Sequence, residues 1–253
     1  MLSDLLHGFA LLTRLPVGRF TKSAPNLGRT VWVFPLVGLL VGAVWGLVYW
    51  GGYRVGMPPV LAALTAFAVA TILTGAFHED GFADVADGFG GGRTADRKLE
   101  IMRDSRIGSY GVMALIWSAA VRVTAVVSIG APRTVLIVLV VVGTIARAGM
   151  IGPLLLLKPA RSDGLAASMK SLPEWSATLG MAVALVTPFL LLAPVLAIVV
   201  LGLGALTALM VAGLARWQIG GYTGDVLGAT EIAIECVLLI AIATLWQVLG
   251  KIT

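Results

Sequence analysis

The sequence predicts an all-α, polytopic integral membrane protein: about seven transmembrane helices with short interfacial helices, in a single membrane-embedded domain over residues 1–253. Three observations carry that expectation. Of the 253 residues, 58% are hydrophobic and only 12% are charged, roughly half the charge density of a soluble protein. Mean hydropathy is +0.98. Apolar runs of a length that spans a bilayer core recur along the chain, separated by short polar segments.

Taken in order, residues 1–14 read as a short amphipathic helix at the interface, ended by Arg14-Leu15-Pro16. Its apolar run, Leu5 to Leu12, is too short and too poorly followed by a cleavage site for a signal peptide. Residues 15–30 form a basic loop. Val31 to Trp50 is the first span, and its Gly38, Gly42 and Gly46 predict a face for close helix packing. Pro58 to Phe77 is the second span. It leads into an acidic stretch, residues 78–88, in which Gly81 and Gly88 allow close approach and whose helix is expected to end near Asp87 because Gly90, Gly91 and Gly92 follow. Thr94 to Met102 is expected as a helix outside the membrane, and Gly108 with Gly111 as a turn. Val112–Ile129 and Thr134–Leu157 are the third and fourth spans. Residues 177–213 hold two more, turning near Ala193-Pro194. Residues 216–231 are expected as a loop, and Ile232–Leu249 as the seventh span.

With the N-terminus inside, the cytoplasmic segments carry Arg14, Arg19, Lys22, Arg29, Arg93, Arg97, Lys98, Arg103, Arg106, Lys158, Arg161, Lys170 and Arg216. The outer segments carry Arg54, Arg133 and Lys251. The excess of positive charge fixes the orientation and puts the loops 78–108 and 214–231 on one, cytoplasmic, side.

Those loops hold the candidate chemistry. Glu79, Asp80, Asp84 and Asp87 fall within nine positions. On a helix, Asp80, Asp84 and Asp87 share a face, and like charges so placed repel. A hard divalent cation such as Mg²⁺, which takes oxygen ligands and shares them with phosphates, would offset that repulsion; a solvated acidic turn is the bland alternative. Arg103 and Arg106, around Asp104 and Ser105, suit a phosphate clamp or plain interfacial anchoring. Arg122 and Arg147 lie near the middles of spans, where charge is costly and faces a partner or a wet cavity. They would neutralise buried phosphate or the acidic cluster, or pair for structure. Gly220-Gly221-Tyr222-Thr223-Gly224-Asp225-Val226-Leu227-Gly228-Ala229 looks like a second ligand-binding loop. Together these features suggest metal-assisted phosphoryl or phosphodiester transfer, with a free carboxylate as proton acceptor.

Other classes find less support. No Gly-x-Ser-x-Gly or Walker A pattern occurs. His7 and His78 are too few and too far apart for a zinc site. The lone Cys236 sits in an apolar run, as a packing residue does. The net charge of +5 suggests lipid or phosphorylated substrate, with no nucleic acid implied. A CDP-alcohol-type lipid headgroup phosphotransferase starts similarly with Asp80-Gly81, but Ala83-Asp84 breaks that pattern and the later Gly and Asp spacing is absent. A transporter would place its acidic motif in the bilayer core, whereas here it follows a span's cytoplasmic end.

A fuller resemblance spans nearly the whole chain. Arg14-Leu15-Pro16, Phe34-Pro35-Leu36-Val37-Gly38, Leu73-Thr74-Gly75, His78 to Gly88, Gly91-Gly92-Arg93, Glu100 to Gly108 and Gly221 to Ala229 resemble the adenosylcobinamide-GDP ribazoletransferase (cobalamin synthase) family. The resemblance implies a Mg²⁺-dependent transferase of the prokaryotic cytoplasmic (inner) membrane. Its implied substrates are adenosylcobinamide-GDP and α-ribazole or α-ribazole 5′-phosphate, its products adenosylcobalamin or its 5′-phosphate, and GMP. On that reading Glu79, Asp80, Asp84 and Asp87 hold Mg²⁺, with one of Asp80, Asp84 and Asp87 as base. Arg103, Arg106 and Arg147 bind phosphates, Gly224 belongs to the substrate- or phosphate-binding set, and Asp104 and Asp225 make further metal or ribose contacts. Partners are the two substrates and the bilayer, and a homo-oligomer stays open.

Overall fold

In the computed structural model, residues 1–21, 24–164 and 166–249 are described, and their regular structure is helical apart from one isolated parallel bridge, Pro159 to Tyr222. Lys22 and Lys251 of the predicted charge pattern lie outside the described residues. The helices are α1 (Leu2–Leu12), α2 (Leu27–Thr30), α3 (Phe34–Arg54), α4 (Pro59–Thr74), α5 (Phe77–Gly91) and α6 (Ala95–Ile101). They continue with α7 (Ser109–Ile129), α8 (Pro132–Gly149), α9 (Ile151–Leu156), α10 (Glu174–Leu191), α11 (Pro194–Ile219) and α12 (Gly224–Leu249).

Six helical stretches are long and apolar enough to cross a membrane: 27–54, 109–129, 132–156, 174–191, 194–219 and 224–247. The remaining predicted span, the second, is α4. It has 16 residues and is joined to α5 through an 89° bend. We take α4 as the crossing segment and α5, with its four carboxylates, as a separate helix packed at one end of the bundle.

The glycine stripe of α3 packs as its spacing suggests. A Cβ on Gly38 would strike the carbonyl of Gly143, and one on Gly42 the carbonyl of Leu139, so α3 and α8 lie in backbone contact. The α4–α5 bend needs two left-handed residues, Gly75 (φ 68°) and Ala76 (φ 56°). The second is strained for a residue with a Cβ. The N–H of Arg14 donates to the Leu73 carbonyl at 2.7 Å, which fastens the end of α1 to this corner.

Three expectations need correction. Helix α5 runs on to Gly91 rather than ending near Asp87, because its glycines serve close packing: a Cβ on Gly90 would lie 2.8 Å from the Tyr110 ring. Gly108 and Gly111 make no separate turn; they are the N-cap and first turn of α7, held by an acceptor on α5. Residues 216–231 are mostly helix, since α11 continues to Ile219 and α12 starts at Gly224. The predicted outer helix is present as α6, with the Thr94 hydroxyl accepting from the Arg97 N–H at its N-terminus.

Candidate active site

Helix α5 runs back along α7. Its start meets Arg122, thirteen residues into α7, and its end meets Gly108 at the α7 N-cap. The acidic stretch is thereby spread over about 12 Å, and its four carboxylates have three different environments.

Glu79 faces the bundle interior. Arg122 Nη1 lies 2.9 Å from Glu79 and 3.2 Å from Glu235, and its guanidinium stacks 4.6 Å from the centre of the Phe67 ring. Arg147 Nη1 lies 2.8 Å from Glu231 and 3.4 Å from Glu235, and His78 Nδ1 lies 3.4 Å from Glu231. Two arginines thus meet three glutamates and a histidine, nearly all buried. The energetic logic is mutual neutralisation, since either sign left alone at this depth would be costly. The structure therefore gives Arg147, a sequence candidate for phosphate, a glutamate pair instead. Glu231 and Glu235, four positions apart on α12, are site residues that the sequence patterns above do not single out.

Asp87 caps α7. Its carboxylate accepts from the Gly108 N–H at 2.7 Å and the Gly111 N–H at 2.9 Å. The two glycines let the carboxylate sit this close, since a Cβ at either position would displace it. Glu79 and Asp87, both in the sequence-derived metal set, are thus engaged by an arginine and by backbone amides.

Asp80 points elsewhere. It lines a cleft of about 200 Å³ together with Gly81, Arg161, Asp163, Thr223, Gly224 and Asp225. Two helix starts meet here, with Asp80 in the first turn of α5 and Asp225 in the first turn of α12. The positive ends of both helices soften the repulsion between the two acids. The contact is close: a Cβ on Gly81 would lie 2.9 Å from the Asp225 Cα. Thr223 completes the α12 start, its hydroxyl lying 3.2 Å from Asp225 Oδ2 and accepting from the Val226 N–H at 3.3 Å. Asp84, one turn beyond Asp80, is half-buried. Burial and then the charges of Asp225, Asp80 and Asp87 push its carboxyl up to about 7, with Arg161 opposing.

The cation of this cleft is Arg161, which the sequence marks only as a topogenic charge. Its Nη1 is 3.8 Å from Asp225, and its Nη2 donates to the Leu99 carbonyl at 2.7 Å. The parallel bridge puts it there: the Ala160 N–H donates to the Tyr222 carbonyl at 2.8 Å, and the Tyr222 N–H to the Lys158 carbonyl at 2.9 Å. Gly221 allows this approach, because a Cβ there would strike the Lys158 carbonyl.

The other predicted phosphate ligands sit around the cleft rather than in it. Arg103 makes two bonds, of 2.6 and 2.8 Å, to Asp163 on the cleft wall. Arg106 and Asp104 bond each other, the closest approach being 2.7 Å. The Arg106 hydrogen bonds hold the Asp104 carboxyl well below its ordinary value. Among the described residues, no three His, Cys, Asp or Glu side chains converge closely enough to hold a metal ion by themselves. Asp80, Asp84 and Asp225 still present the oxygen donors that Mg²⁺ takes, and Mg²⁺ commonly keeps waters and substrate phosphate oxygens in its shell.

Against known proteins, the chain matches the family model described as cobalamin-5-phosphate synthase over residues 4–243. A curated relative from Bradyrhizobium diazoefficiens, named adenosylcobinamide-GDP ribazoletransferase, is 47% identical over 96% of this chain and 94% of its own length. Relatives of the same name from Mesorhizobium japonicum and Azorhizobium caulinodans are 40% and 34% identical, each over 96% of this chain and 95% and 96% of their own lengths. No solved structure matches the chain.

Proposed function

The chain belongs to the cobalamin-5-phosphate synthase family, and from that membership we propose that it joins adenosylcobinamide-GDP to α-ribazole or α-ribazole 5′-phosphate, releasing GMP. The ribose 3′-hydroxyl oxygen forms a bond to the phosphorus that carries the cobinamide. The bond from that phosphorus to the bridging oxygen of the diphosphate breaks, and the bridging oxygen leaves with GMP. The hydroxyl proton passes to a carboxylate.

The observation that best supports this reading is the meeting of Asp80 and Asp225, from two distant motifs, in one cleft beside Arg161. Arg161 is placed to take the non-bridging oxygens of the diphosphate, as a guanidinium does well. Asp80, Asp84 and Asp225 are the residues that would hold Mg²⁺, which when bound supplies charge neutralisation to the diphosphate and the departing phosphate. A carboxylate oxygen of this set not engaged by the cation accepts the hydroxyl proton. Glu79 and Asp87 keep α5 in register instead.

The membrane placement follows the charge pattern. Arg14, Arg19, Arg29, Arg93, Arg97, Arg103, Arg106, Lys158, Arg161 and Arg216 are on the segments at the cleft end, and Arg54 and Arg133 on those at the other. This supports a cytoplasmic cleft and N-terminus in a bacterial inner membrane.

The test uses purified protein in nanodiscs, given adenosylcobinamide-GDP and α-ribazole with Mg²⁺ or with EDTA. Metal-dependent GMP release matched by corrinoid product is the expected outcome. No GMP from folded protein with Mg²⁺ present would overturn the proposal.

A further inference from the structure

A groove of about 640 Å³ runs between α8–α9, α10 and α11. Small residues such as Gly152, Gly204 and Ala208 make its floor. Its rims, Leu155, Leu185 and Leu209, are exposed on membrane-spanning helices. The groove therefore opens sideways into lipid. Along α8–α9 it extends from Ile145 to Leu155, about 15 Å of helix. That is the depth of one leaflet in a hydrocarbon core about 30 Å thick. Its mouth is at the end of the bundle that carries the carboxylate cleft, because α9 stops at Leu156 and α10 starts at Glu174. Among the described residues, Thr178 supplies the one polar side chain of the lining, one turn into α10, and its hydroxyl has no partner. Two exposed cations stand just beyond the mouth. Lys158 follows the end of α9. Arg216 lies seven residues past Leu209 on α11, which puts it on the same helix face. Among the described residues, neither side chain has an ion pair or hydrogen bond with the protein. Trp175 is exposed one turn before Thr178, where an aromatic ring sits well at the membrane–water interface.

An apolar slot one leaflet deep, a lone hydroxyl near its mouth and two uncommitted cations above it follow the order of groups along a phospholipid. We propose that the groove binds one anionic phospholipid. An acyl chain fills the slot, an ester carbonyl accepts from the Thr178 hydroxyl, and the phosphate meets Lys158 and Arg216. A zwitterionic headgroup brings its own ammonium to the same place and so gains less from the two cations. The site lies outside the carboxylate cleft, and the proposal does not depend on the transferase reading. It does touch the loop that serves that cleft: the Lys158 carbonyl accepts from the Tyr222 N–H at 2.9 Å, in the bridge that aims Arg161. A bound headgroup fastens this loop to the membrane surface.

The experiment is native mass spectrometry of the purified chain in detergent, titrated with phosphatidylglycerol or with phosphatidylcholine of the same acyl chains. The wild type should retain one phosphatidylglycerol, about tenfold or more tightly than phosphatidylcholine, the scale of two cations meeting an anionic headgroup. Lys158→Gln combined with Arg216→Gln should bring phosphatidylglycerol down to the level of phosphatidylcholine. Lys158→Arg combined with Arg216→Lys keeps both charges and should keep the preference. Ala205→Phe fills the groove from an exposed position and should weaken both lipids. Equal retention of the two lipids by the wild type overturns the proposal. So does an unmoved preference in the double glutamine variant, or a preference lost in the charge-keeping one. Unmoved retention of both lipids in Ala205→Phe shows that the tail lies elsewhere and overturns the groove assignment. A wild-type dimer that Ala205→Phe dissociates puts a second copy of the chain in the groove and overturns it too.

Discussion

Arg122, in the middle of α7, holds the carboxylate of Glu79 at 2.9 Å, one residue before the acid that lines the cleft. Adjacent helix positions point about 100° apart, so fixing Glu79 inward fixes Asp80 outward. Removing the cation leaves Glu79 and Glu235 buried without it. Arg122→Met is expected to destabilise the protein by about 3–5 kcal/mol. Thermal unfolding in detergent reads this, and an unchanged midpoint would show that the pair carries no structural load.

Asp87 accepts from two backbone amides at the start of α7. Asp87→Ala leaves both donors unsatisfied and should cost about 1–3 kcal/mol. It should also loosen residues 103–108, so trypsin should cut faster after Arg103 and Arg106. Unchanged stability and cleavage in the variant would contradict the capping role.

The backbone of Asp225 packs directly on Gly81. Gly81→Ala pushes the start of α12 away from α5 and should lower kcat by about 10²-fold, the scale of a misplacement near 1 Å. Insertion and expression should persist. Wild-type turnover would mean that the α5–α12 junction is not part of the working geometry.

How far the sequence announced this arrangement differs from one residue to the next. The spans, the Gly38–Gly46 stripe and the helix expected over Thr94 to Met102 were legible because each is a local or periodic pattern. The split of the acidic stretch was not. A helical period says that Glu79 and Asp80 diverge, but only the position of Arg122 says which one points inward. Arg161 was hidden for a related reason: the bridge that aims it joins residues 158–160 to Tyr222, some sixty positions away, and leaves no periodic trace. The glycines after Asp87 misled because a glycine that permits close packing looks the same, in sequence, as one that stops a helix.

On the proposed reading, Asp84 would make cation binding sensitive to pH. Its carboxyl, raised from the ordinary 3.8 to about 7, adds stability to the metal-free fold that is complete below 3.8 and lost as pH rises through about 7. A cation needs the ionised form, so binding has the opposite slope. Mn²⁺ affinity, followed by electron paramagnetic resonance, should fall as pH drops below about 7 and level off above it. Asp84→Asn should flatten that dependence. A profile already flat between pH 5.5 and 8 in the wild type would contradict it.

The most direct test of the carboxylate cleft is the rate of GMP release by Asp225→Asn, measured beside its thermal unfolding. Asp225 belongs to the second motif, so only its meeting with α5 in the cleft assigns it to the proposed reaction. The expected result is a fall in kcat of at least about 10²-fold with the unfolding midpoint near that of the wild type. A folded Asp225→Asn protein that releases GMP at the wild-type rate would contradict the assignment of the chemistry to this cleft.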